Sequence, residues 1–150
     1  MLKELITIDD IEIGLVASNW EEAIRKSSQR LLEKGTINQH YVDSMINIVK
    51  ETGPYFVIGN HVAFAHTRPE YGAKSLGLSF TTLQPPISFG SNNFDPIKLI
   101  VTFSATDSDA HLSLMSELAN ILMNEKTMAK LFVSTSSEEF YQHLINGLDN

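Results

Sequence analysis

The chain has 150 residues, 43% of them apolar, and a formal net charge of −7; that suffices for one domain with a substantial core and has the wrong sign for a nucleic-acid surface. The absence of Cys excludes disulfides and thiolate chemistry. No apolar stretch approaches the roughly 20 residues that cross a bilayer, and nothing resembles a signal peptide, so one cytoplasmic domain over residues 1–150 is the expectation.

Asn19 followed by Glu22 reads as a capping box. Trp20, Ile24, Leu31 and Leu32 then form most of an apolar helical face, with Gly35 as a stop. Asn38 caps a second helix carrying Val42, Met45, Ile46 and Val49, ended by Gly53-Pro54. Residues 55–58 form a short strand candidate, and residues 62–65 suit either an extended segment or a loop. Residues 76–83 alternate around Leu76, Leu78 and Phe80, and Gln84-Pro85-Pro86 is expected to stop that strand. Residues 97–103 form a strand buried on both faces. A helix starting near Ser108 or Asp109 carries Leu112, Met115, Leu118, Ala119 and Leu122. Asn124 starts a short helix through Leu131. Ser136 with Glu139 caps a last one holding Phe140, Leu144 and Ile145 before Gly147. Helices bracket a central group of strands, which predicts a single-domain α/β/α sandwich around a mixed sheet, its strand order undetermined. Its predicted core is Trp20, Ile24, Leu31, Ile46, Ile58, Leu78, Ile100, Val101, Leu118 and Leu122.

The run from Gly59 to Glu70 places His61, His66 and Arg68 close together, and His111 opens a later helix after Thr106-Asp107-Ser108-Asp109-Ala110. Histidine can carry a proton, a metal or a phosphoryl group, and a guanidinium suits an anion. His66 follows a candidate strand, a junction that aims side chains into clefts, although a loop histidine bonded to its own backbone is the ordinary alternative. His61 and His66 face opposite sides if the segment is extended, so a shared metal requires a turn. His111 lies in a first helical turn, where N–H groups meet anions, or it is a helix-surface histidine. Asp107, Ser108 and Asp109 are all capping candidates. Arg68 fits phosphate, a carboxylate or an exposed salt bridge; Lys50 reads as a solvated charge at a helix C-terminus. A zinc site from His61, His66 and His111 is conceivable, without a recognised ligand spacing. His40 and His143 read as surface histidines. No Ser-His-acid arrangement, GxGxxG, Walker loop or HExxH occurs.

Three segments carry a family resemblance: Gly53-Pro54-Tyr55-Phe56-Val57-Ile58, the run from Val62 through His66 to Glu70, and Ala105-Thr106-Asp107-Ser108-Asp109-Ala110-His111-Leu112. Together they make the chain resemble, over nearly its whole length, an enzyme IIA of the bacterial sugar phosphotransferase system. The type is mannitol/fructose, and Arg68-Pro69-Glu70 is similar to the ascorbate-specific branch. Two departures stand out: Ala65 replaces a usual proline, and His61 occupies a position where glycine is common.

The resemblance implies that His66 accepts a phosphoryl group from HPr at Nε2, with Nδ1 held by a backbone acceptor. It implies His111 as supporting imidazole and places Lys50 where many relatives carry an arginine; Lys50 and Arg68 are the expected phosphate-binding cations. An enzyme IIB, using cysteine in ascorbate-like systems, would take the group onward, and the membrane IIC would be reached only through IIB. No metal or other cofactor is implied, and either a monomer or a homodimer is allowed. A shallow apolar docking surface is expected, with Phe64, Tyr71 and Leu112 as candidates for its rim or, equally, for the core. The rival functions are a regulatory enzyme IIA-like phosphoprotein and a His-based metal- or metabolite-binding module.

Overall fold

The sheet is built from short strands whose alternating side chains feed two separate apolar layers. The computed structural model describes residues 1–149, apart from the side chains of Ser108 and Ala110. Helix α1 (Leu2–Leu5) and a 3₁₀ turn at Ile8–Asp10 lead into β1 (Ile11–Leu15). Helices α2 (Trp20–Ser27), α3 (Gln29–Lys34) and α4 (Gln39–Thr52) follow, then β2 (Val57–Gly59) and β3 (Val62–Ala65). After a 3₁₀ turn at Pro69–Tyr71 come β4 (Gly77–Ile87) and β5 (Ile97–Ser104), then α5 (Ser108–Leu122), α6 (Glu125–Phe132) and α7 (Ser137–Leu148). The expected α/β sandwich with a mixed sheet is what forms.

Strand order is β1-β4-β5-β3-β2. The β1–β4 and β3–β5 pairs are parallel, whereas β4–β5 and β2–β3 are antiparallel. On one face Val62, Phe64, Leu78, Phe80, Val101 and Phe103 pack with Leu114, Leu118, Phe140 and Leu144 of α5 and α7. On the other, Ala63, Ala65, Leu83 and Ile100 pack with Ile24, Leu31, Tyr41, Met45 and Ile46 of α2 to α4. Period two within β3 therefore sends alternate residues into different layers.

The expected Asn and Ser caps form: Asn19, Asn38, Asn124 and Ser136 each accept a backbone N–H from the third residue on. Elsewhere the structure corrects the sequence expectations. The single helix expected across 20–34 is broken at Ser28, because the Ser27 and Ser28 hydroxyls both donate to the Ile24 carbonyl, at 3.2 and 2.7 Å. The strand expected to stop at Gln84-Pro85-Pro86 continues to Ile87. Its ladder to β5 is irregular between Thr82 and Ile87, where three exposed residues need no N–H partner. Helix α7 runs through Gly147, whose lack of a Cβ permits close approach: a Cβ there would meet Thr127 Cγ2 at 2.7 Å. Ile58, expected in the core, is 45% exposed because β2 is an edge strand. Trp20 and Leu122 are half-buried, each packed against a core layer. Strand β1 and helix α1 were not among the expected elements.

Candidate functional site

Strands β3 and β5 run parallel, with Ala65 beside Thr102, so their C-terminal ends open at the same edge of the sheet. The chain leaves β3 directly into His66. From β5 it passes through residues 105–107 into α5, whose first turn holds His111. Parallel pairing thus brings together two imidazoles that are 45 positions apart in sequence.

Aromatic packing supports both rings. Phe64 lies under His66, with centroids 4.9 Å apart, and stacks on Phe103 at 5.3 Å; Phe103 meets the edge of His111 at 5.2 Å. Phe64 is buried to 1% exposure, so of the two expected alternatives, rim and core, it takes the core one and floors the site. Leu112, 67% exposed beside His111, does face solvent. Tyr71 is half-buried, edge-on to the exposed His40 at 6.2 Å.

The protonation state of His66 follows from geometry. Its Nδ1 lies 2.7 Å from the Phe64 carbonyl oxygen. Carbonyls only accept, so Nδ1 carries a hydrogen, and in the neutral ring Nε2 then keeps its lone pair. Nε2 makes no hydrogen bond among the described residues. Burial lowers the His66 pKa below the ordinary histidine value, the nearby His111 adds to that, and the bond to Phe64 opposes it. The product is a neutral, half-buried imidazole of fixed tautomer with one bare nitrogen, which is the form a nucleophile requires.

Two tyrosines that sequence reasoning did not single out meet the backbone beside this ring. Tyr55 donates its hydroxyl to the His66 carbonyl, with its ring edge-on to the imidazole at 5.9 Å. Tyr41, 1% exposed, accepts from the Thr67 N–H at 3.1 Å and donates to the Phe103 carbonyl at 2.7 Å. No local pattern announces such contacts, because their partners lie on other elements.

The remaining candidates are dispersed. His61 sits before β3, at the end opposite His66, with Nδ1 donating to the Pro96 carbonyl at 2.8 Å and its ring 6.3 Å from Phe132. It has φ of 68°, the left-handed region that favours glycine. Four strand residues separate the two histidines by about 13 Å or more, and no group of three His, Asp or Glu among the described residues is arranged to hold a metal. Lys50, on the last turn of α4, pairs with Glu21 at 2.9 Å. Arg68 is 74% exposed and lies 3.9 Å from Glu70. Asp107 accepts the Asp109 N–H at 2.8 Å, a capping contact for α5; the side chain of Ser108 lies outside the described residues. Among the described residues no helix is long and apolar enough to cross a membrane.

The family described as phosphoenolpyruvate-dependent sugar phosphotransferase system, EIIA 2, matches residues 4–147. The mannitol-specific cryptic phosphotransferase enzyme IIA component of Escherichia coli K12 is 33% identical over 131 residues, 87% of this chain and 88% of that protein. The ascorbate-specific EIIA component of the same organism is 28% identical, covering 86% and 84%. The relatives therefore divide between two branches, the mannitol one slightly more similar. The solution structure of the E. coli mannitol-specific cryptic enzyme IIA superposes with a TM-score of 0.88 at 30% identity, over 97% of this chain and 98% of that one. The E. coli mannitol enzyme IIA in complex with phosphorylated mannitol enzyme IIB gives 0.80 at 25% identity, over 94% and 97%.

Proposed function

The chain belongs to the EIIA 2 family of the phosphoenolpyruvate-dependent sugar phosphotransferase system, and on that premise we propose that it is a cytoplasmic phosphocarrier between HPr and an enzyme IIB. The Nε2 lone pair of His66 attacks the phosphorus carried by the HPr histidine. A new N–P bond forms, and the old one breaks with its electron pair returning to the HPr nitrogen. A nucleophile of IIB then takes the group from His66 in the same way. The observation that carries this reading is the 2.7 Å bond from His66 Nδ1 to the Phe64 carbonyl, which in the neutral imidazole leaves Nε2 as the bare nitrogen.

His111 is the proposed donor to the transferring phosphoryl oxygens, beside the first-turn N–H groups of α5. Arg68, with its side chain 74% exposed, is proposed to add a positive charge two chain positions from His66. Lys50 contributes only if it leaves Glu21, so it is the weaker of the two proposed cations. Exposed Leu112 and Tyr55 flank the histidines, which suits two proteins docking in turn better than a closed substrate pocket.

The carbohydrate is proposed to be ascorbate or a related compound, on the resemblance of Arg68-Pro69-Glu70 to the ascorbate-specific branch. Mannitol-type relatives supply the rival. Mixing the phosphorylated protein with IIB domains of each type and measuring phosphoryl loss from His66 tests the relay and the branch together. Onward transfer to the ascorbate-type domain alone is expected; transfer to the mannitol type alone would reassign the branch, and transfer to neither would remove the transport role.

A further inference from the structure

The two tyrosine contacts converge on one peptide unit. The His66 carbonyl, which accepts from Tyr55, and the Thr67 N–H, which donates to Tyr41, are the two ends of the same planar amide. We propose that Tyr41 and Tyr55 are a positioning pair that grips the 66–67 peptide from both ends and thereby sets the direction of His66 Nε2. The inference rests on the phosphocarrier reading for its consequence, though not for its geometry.

The orientation of that peptide defines ψ of His66. The preceding backbone is already fixed, since β3 is laddered to β5 through Ala65. With both flanking units held, the imidazole has one backbone frame from which Nδ1 reaches the Phe64 carbonyl. Tyr41 also ties the assembly to its neighbour: its single hydroxyl hydrogen goes to Phe103 at 2.7 Å, on the strand that leads to His111. The same side chain thus links the segment after one histidine to the strand before the other. Burial pushes both phenols up to about 12, so each keeps its hydrogen at neutral pH. Phenylalanine at either position would keep the ring packing, including the 4.8 Å contact of Tyr55 with Phe56, and remove only the grip.

The test uses Tyr55→Phe and Tyr41→Phe with two readouts. The imidazole ¹⁵N shifts of the unphosphorylated protein report the His66 tautomer without any phosphate donor. Acceptance from phospho-HPr, measured well below each melting temperature, reports the consequence. Both variants are expected to shift the His66 nitrogens towards averaged tautomers and to slow acceptance about tenfold, since small misplacement of a nucleophile is costly. A merely structural role would lower the melting temperature and leave the nitrogen shifts and rate alone; that result overturns the proposal. So does a wild-type rate in both variants whatever the shifts show. Should Tyr41→Phe fail to fold, the partly exposed Tyr55 decides by the same criteria. Failure of the wild type to accept phosphate would instead defeat the phosphocarrier reading, and the nitrogen shifts would then decide the grip by themselves.

Discussion

His66 Nδ1 donates to the carbonyl of Phe64, two residues back, at 2.7 Å. This short loop of chain fixes which nitrogen is bare before any partner arrives. The same Phe64 ring floors the site, so one residue supplies both the acceptor and the packing surface of the proposed nucleophile.

The first prediction concerns pH. Burial holds the folded His66 pKa below the ordinary 6.5, so an NMR titration should give a midpoint under that value. Acceptance should stay level down through 6.5 and decline only as His66 protonates below its depressed pKa. Stability moves the same way: below 6.5 the unfolded histidine binds a proton that the folded one resists, so stability is lost as the pH drops from 6.5 towards the lowered folded pKa. A midpoint above 6.5 would contradict the burial argument.

His111→Ala should leave some acceptance and slow it. Losing a transition-state donor costs roughly 2–4 kcal/mol in an organised site, and an open docking surface should sit at the lower end. Single-turnover transfer from phospho-HPr measures this. An unchanged rate would remove His111 from the site.

His61→Gly should leave acceptance at the wild-type rate, because His61 lies at the far end of β3. The substitution relieves a left-handed backbone but loses the bond to Pro96 and the contact with Phe132. These effects oppose one another, and urea unfolding should shift by no more than about 1 kcal/mol. A strong loss of transfer would place His61 back in the chemistry.

A fourth prediction tests the scaffold. The Asp10 side chain is fully buried and accepts from the Thr7 N–H at 2.9 Å, Arg30 at 2.9 Å and Lys34 at 3.1 Å. Burial raises its pKa, but these donors outweigh that and hold it below the usual carboxylate value. Asp10→Ala should cost about 2 kcal/mol at pH 7, less than a fully buried pair because both cations are partly solvated. Asp10 contributes stability above 3.8 that is lost as pH falls through its lowered folded pKa. Denaturant melts of the two proteins should therefore converge in strong acid.

Much of this architecture can be read from local signals, and the failures have physical causes. Helix α4 is legible because Asn38 caps it and Val42, Met45, Ile46 and Val49 repeat at helical spacing. Strand β5 is legible because both its faces are apolar. Strand β1 is a five-residue segment interrupted by Gly14, too short to stand out. Pro85 and Pro86 mislead because a missing N–H matters only where a ladder needs it. In the site, His66 and His111 announce themselves by a strand end and a helix start. Tyr41 does not, since its hydroxyl bonds residues 26 and 62 positions away. The Lys50–Glu21 pair likewise depends on how α2 packs against α4.

The central claim is that His66 Nε2 carries the phosphoryl group. Incubation with phosphoenolpyruvate, enzyme I and HPr, followed by mapping of the acid-labile phosphate and ³¹P–¹⁵N assignment of the bonded nitrogen, tests it most directly. One phosphoryl group per chain on His66 Nε2, abolished by His66→Ala, is the expected result. Label on His111, attachment at Nδ1 of His66, or no label while HPr is demonstrably phosphorylated would contradict it.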